Sequence, residues 1–243
     1  MKPAELDGAR ATGSLAAAGP SAATVIGVGF QVMDGRSAQA LVRATSAGLV
    51  LLAIVVQVMT AIGAGSFDPT RFFAFFTVLS NLFGAALFLV LALRWRSAPS
   101  MSLDVLRGAS VVYLTVTFIV VILLLSAAEL QLAIPWVDFV LHKVFPVIVV
   151  VDWLVDPPTR RLTYRGSLRW LVFPSVWVTL TLIRGAADGW YPYPFLDPAN
   201  GGYGSVAVYF VAILVGFLAI GAMTVALGDA MHDRRSRTRR PAS

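Results

Sequence analysis

The chain has 243 residues, 58% of them hydrophobic and only 13% charged, with a formal net charge of +6. A soluble domain carries about 25% charged residues, so a conventional water-soluble enzyme is excluded, and the basic excess lies in short clusters beside apolar blocks, which excludes a nucleic-acid surface. With no cysteine, disulfides, thiolate catalysis, iron–sulfur clusters and Cys-based zinc sites are excluded as well.

Residues 1–42 are rich in Ala, Gly and Ser and read as a disordered segment. Ala38-Gln39-Ala40 imitates a signal cleavage site, but Asp34 and Arg36 interrupt the pattern, so no cleaved leader is expected. Six spans follow, at about 44–65, 72–93, 108–128, 134–155, 167–187 and 204–228. Four of them contain a block free of Asp, Glu, Lys and Arg that exceeds the roughly 18 apolar residues signalling a membrane helix. Residues 229–243 form a basic tail. The expected fold is an all-α integral membrane protein, a bundle of six transmembrane helices spanning residues 43–228.

Sixteen of the nineteen Lys and Arg residues fall before the first span, in alternate loops or in the tail. By the positive-inside rule both termini are cytoplasmic, and the expected location is a cell membrane, the bacterial plasma membrane. Membrane lipids are then the natural partners, with no nucleic acid. Oligomeric state is not legible.

In the second span, Thr77, Ser80, Asn81 and Gly84 make a stripe of small and polar residues. In the fourth, Asp138, His142, Phe145, Val149 and Asp152 share one face at helical spacing. Asp138 and His142 form an i,i+4 pair that can orient the imidazole, and Pro146 withholds the amide that the His142 carbonyl would use. Lys143 points about 100° away and is expected outside this site, snorkelling outward or pairing with Glu129. Asp152 is open between a functional role and pairing with Arg160 or Arg161. Counting about 1.5 Å per residue from the outer face puts Thr77 about 8 Å and His142 about 10 Å deep. Arg184 and Asp188 return to the same level at the end of the fifth span, either as an interfacial ion pair or to recognise a carboxylate. The next loop carries Trp190, Tyr191, Tyr193 and Phe195 among prolines, and suits either an interfacial belt or a stiff rim over an entrance.

An ionisable group inside a membrane span costs roughly 2.5–3.5 kcal/mol and marks a functional candidate. With one intramembrane His, a bis-histidine haem bundle and a multi-His zinc hydrolase are both excluded. No metal and no cofactor are expected. A His beside a Thr hydroxyl can take its proton and turn it on a lipid ester. Asp138 would fix the tautomer and Asn81 would donate to the oxyanion. Ser80 and Asn81 also fit the simpler role of hydrogen-bonding a neighbouring helix.

Three segments, Phe75–Asn81 (FFTVLSN), Leu141–Pro146 (LHKVFP) and Gly189–Pro198 (GWYPYPFLDP), resemble the androgen-induced gene 1 protein family, which includes the androgen-dependent TFPI-regulating protein and bacterial six-span relatives. The resemblance covers roughly residues 43–228. It implies a threonine hydrolase acting on fatty acid esters of hydroxy fatty acids, with its nucleophile at Thr77 and its catalytic His at His142. It does not carry over Asp138, Asn81 or Arg184. The loop is richer in aromatics and proline than the animal pattern, which leaves substrate choice open. The rival expectation is a lipid-binding or transport protein that uses the same polar cluster for recognition.

Overall fold

The structure, a computed structural model, describes residues 34–98, 100–125 and 134–238, and all regular structure among them is helical. Helix α1 (Gly35–Gly63) is followed by the short α2 (Pro69–Phe72), then α3 (Phe76–Leu93) and α4 (Met101–Leu124). A composite helix comes next: α5 (Pro135–Phe139), a π-helical turn (Val140–Val144) and α6 (Phe145–Val155). The short α7 (Tyr164–Ser167) passes through a 3₁₀ turn (Leu168–Leu171) into α8 (Val172–Asp188), and α9 runs from Gly202 to Thr238. Among the described residues, five helical runs are long and apolar enough to cross a membrane: Gly35–Gly63, Phe76–Leu93, Met101–Leu124, Tyr164–Asp188 and Gly202–Arg237.

The helices extend beyond the apolar blocks. Residues 35–42, expected to be disordered, form the first turns of α1, where the Asp34 carboxylate caps the helix by accepting the Ser37 amide at 2.9 Å. The remainder of the expected disordered segment lies outside the described residues. At the other end, α9 continues through much of the expected tail. Arg161 holds Asp233 at 2.7 Å, and the Leu162 amide donates to Asp229 at 3.1 Å.

Packing is tightest where side chains are smallest. On α1, Ala47, Val50 and Ala53 are fully buried at i, i+3, i+6 spacing, and they lie along α3, whose Gly84 and Ala85 are also buried. Lipid supplies no hydrophobic drive between helices, so close approach of this kind is the main source of cohesion. Gly84 makes a further close approach, to α6, where a Cβ would stand 2.8 Å from the Phe145 ring. A second cluster joins four helices through Phe76, Tyr113, Phe173, Trp177 and Phe217. Its ring centroids range from 5.1 Å apart for Phe76 and Trp177 to 6.5 Å for Tyr113 and Phe217, mostly in edge-on or tilted contact. The outward faces are equally apolar. Leu123 is 72% exposed, Val155 70%, Val208 69% and Ile183 63%, as a lipid-facing surface demands.

Candidate functional site

The composite helix sets the site. In the π turn the Phe145 amide donates to Val140, five residues back instead of four. The Leu141 carbonyl thereby loses its α-helical partner, and its π partner would be the amide of residue 146, which is proline and has none. Asn81 fills that gap from α3: its side-chain amide donates to the Leu141 carbonyl at 3.1 Å and to the Thr77 carbonyl at 2.8 Å. One fully buried side chain therefore ties the backbone beside His142 to the backbone of Thr77.

Of the two roles expected of Asn81, this is the hydrogen bond to a neighbouring helix. Both hydrogens of its amide are engaged, so it positions α3 against the π turn and is not a free donor for an oxyanion. Its Oδ1, buried, has no partner.

The two expected stripes are both buried inward. Asp138, His142, Phe145, Val149 and Asp152 face the interior, as do Thr77, Ser80, Asn81 and Gly84. His142 is 4% exposed, and its Nδ1 is 2.6 Å from Asp138 Oδ1. A carboxylate there holds the proton on Nδ1 and leaves Nε2 as the basic nitrogen. Lys143 does not stand apart as expected. Its Nζ is 3.7 Å from Asp138 Oδ2. The π turn brings the i+5 position back toward Asp138. Glu129, the other expected partner, lies outside the described residues.

Thr77 occupies the first turn of α3 and is 7% exposed. Phe75, at the N-cap, offers no side-chain cap, and Tyr193 supplies one from the distant loop. The phenol oxygen accepts the Thr77 amide at 3.3 Å and lies 3.3 Å from Thr77 Oγ1. Tyr193 is thus part of the buried site and not of an entrance rim. Burial pushes its phenol pKa up, only partly offset by the bonds to Thr77, so it stays protonated and able to donate. The Thr77 hydroxyl is paired with Tyr193 and not with His142.

Thr77 and Tyr193 also line an apolar cavity of about 90 Å³ between α3, α4, α8 and α9, walled by residues such as Val116, Val120, Trp177 and Phe217. The remaining loop residues serve the frame. Tyr191 packs its ring into the space that a Cβ on Gly185 would occupy. Gly189, at φ 71°, makes the left-handed turn out of α8. Arg184 is spent within the chain. It bonds Asp188 at 3.0 Å and the Thr70 carbonyl and hydroxyl at 2.7 and 3.1 Å, and it stands over Trp190 at 5.1 Å. Of the two roles expected of Arg184, the ion pair with Asp188 is the one seen, within a strap between α2 and α8.

Asp152 meets neither Arg160 nor Arg161. It is bound by Arg43 at 2.8 and 3.0 Å, by Arg107 at 3.1 Å and by Gln39 at 3.1 Å, all buried or nearly so. Arg43 also reaches Asp156 at 2.9 Å, and Arg107 reaches Asp104 at 3.2 Å. Burial would raise the Asp156 pKa, but Arg107, Arg43 and Arg235 together hold it below the usual carboxylate range. In the sequence Arg43 and Arg107 look like loop cations. Their signal was the carboxylates at helical spacing nearby, Asp104 three residues before Arg107 and Asp152 four before Asp156.

No family model, curated protein or solved structure matches the chain.

Proposed function

We propose that the chain is a six-span, intramembrane threonine hydrolase of lipid esters, related to the androgen-induced gene 1 protein family. The observation that carries the reading is the position of Thr77, the residue shared by the polar cluster around Asn81 and His142 and by the apolar cavity. An acyl chain in that cavity would place its carbonyl beside Thr77. The remaining span, fourth in chain order, is the composite helix Pro135–Val155, about 30 Å long at about 1.5 Å per residue. Both termini are cytoplasmic, on the side of the basic clusters.

In this mechanism His142 Nε2 takes the proton of Thr77 as Oγ1 attacks the acyl carbon. Asp138 on Nδ1 steadies the imidazolium that forms. Tyr193, already accepting the Thr77 amide, directs its O–H toward the developing oxyanion. Collapse of the tetrahedral intermediate expels the alcohol oxygen of the substrate, which takes the proton from His142. Water, deprotonated by His142, then cleaves the acyl-threonine and releases the fatty acid. Fatty acid esters of hydroxy fatty acids are the proposed substrates.

One observation favours lipid binding without turnover: the cavity wall includes Thr77 and Tyr193 but not His142. A long-chain fluorophosphonate, which is attacked only by an activated hydroxyl, separates the two readings. Adduct mapped by mass spectrometry to Thr77 in the wild type, and absent from His142→Ala, is expected of the hydrolase. Saturable but wholly reversible binding of the probe by both proteins would assign the cavity to recognition alone.

A further inference from the structure

At the end of the bundle away from Thr77, separated from it by the length of α3, lies a second and much larger cavity of about 700 Å³. It is bounded by the start of α1, the end of α3, the start of α4 and the ends of α6 and α9. Its walls are polar and apolar in about equal measure, and five arginines reach it: Arg36, Arg43, Arg94, Arg107 and Arg235.

The carboxylates on the same walls are already committed. Asp34 caps α1 through Ser37. Asp104 accepts the Thr159 amide and hydroxyl at 2.8 and 2.7 Å on one oxygen and Arg107 on the other. Asp156 is shared by Arg43, Arg107 and Arg235. Arg36 and Arg94, by contrast, have no carboxylate partner among the described residues, so the surplus charge on the wall is positive. Two further donors point to an anion. Arg107 is 5% exposed, yet its Nε–H has no partner among the described residues. The N-terminus of α4, a helix of 24 residues, opens on the cavity at Ser100 without a side-chain cap. A helix start of this kind presents unpaired amides and the positive end of its dipole.

We infer that this cavity is a binding site for a phosphate group, held by Arg36 and Arg94 above the uncapped start of α4. Guanidinium groups and helix-start amides match a tetrahedral oxyanion in both charge and donor geometry. The phosphate can arrive free in solution or as the headgroup of an anionic phospholipid. The site is independent of the ester chemistry proposed at Thr77.

The test uses the full chain purified in neutral detergent. Thermal unfolding and titration calorimetry are read with inorganic phosphate against chloride at matched ionic strength, and with phosphatidylglycerol against phosphatidylcholine in mixed micelles. The variants are Arg36→Gln, Arg94→Gln, their double, and Arg96→Gln as a control outside the cavity wall. A rise in unfolding temperature with phosphate identifies a free anion, and a rise with phosphatidylglycerol alone identifies a headgroup; either supports the site. Each single variant is expected to weaken binding about tenfold, by loss of a charge-assisted hydrogen bond, with Arg96→Gln unchanged. No binding of either probe to a well-folded wild type, or equal binding by the double variant, would overturn the inference.

Discussion

In the sequence, Tyr193 is one of several aromatics in a proline-rich loop, and nothing in its spacing tells which of them turns inward. In the fold its ring is 7% exposed, stacked on Phe195 at 5.2 Å, with its hydroxyl at the start of α3. Tyr193→Phe keeps the ring and removes one donor. A fall in kcat of about 10²–10³ is expected, with the unfolding temperature nearly unchanged; ester-hydrolysis kinetics beside a thermal melt check both. Asn81→Ala acts differently, because it strands the Leu141 carbonyl in a dry interior, while the Thr77 carbonyl keeps the Ser80 hydroxyl. A loss of about 1–3 kcal/mol in stability is expected, visible as a lowered melting temperature before any assay. His142 and Asp138 stood out as candidates by cost and spacing, and Thr77 by its polar stripe and the family resemblance. That Asn81 could bond a neighbouring helix was legible, but its acceptor was not, since that depends on which carbonyl across the bundle has lost its partner.

At the scale of elements, the π turn is the feature that apolar periodicity hides. An ideal helix through residues 138–152 puts Lys143 about 100° from His142, whereas a turn closed from residue 145 to residue 140 lets Asp138 face both. Pro146 was readable as a break, but the register chosen around it was settled by Asn81 on another helix. Pro146→Ala returns an amide that can bond within the helix and compete with Asn81. Hydrolysis is expected to fall several-fold while thermal stability holds or rises, as measured on the purified variant. Gly84→Ala is expected to cost about 1–3 kcal/mol by overpacking. Its methyl would meet Phe145 and Leu114 at 2.8 and 3.0 Å. The small-residue stripe on α3 announced a close helix contact; its partner on the composite helix could not be read from one chain.

At the scale of the whole molecule, charge is arranged by depth. The site end holds the part-buried pair of Asp138 with His142, and the opposite end holds the network of Arg43, Arg107, Asp104, Asp152 and Asp156. The helical class and the apolar runs were plain in the composition. The helix ends were not, because Arg43 and Arg107 look like loop residues until their carboxylates are seen beside them. Arg43→Gln leaves Asp152 short of a partner, and a loss of about 3–5 kcal/mol is expected. Pairing it with Asp152→Asn is expected to recover part of that loss, a comparison made by thermal unfolding of the three variants. The pH response follows from Asp156, whose folded pKa lies below the ordinary value. Its contribution is complete above the unfolded pKa of about 3.9 and is lost as pH falls through the folded one. Melting temperature is therefore expected to drop more steeply below about pH 4 in the wild type than in Asp156→Asn.

The most direct measurement is release of free fatty acid and hydroxy fatty acid from their ester by purified protein, followed by mass spectrometry. Wild type is compared with Thr77→Ala and His142→Ala at equal folded yield. Release by the wild type and by neither variant is the expected result. Release that persists in Thr77→Ala, or no release by a well-folded wild type across several lipid esters, would contradict a threonine hydrolase.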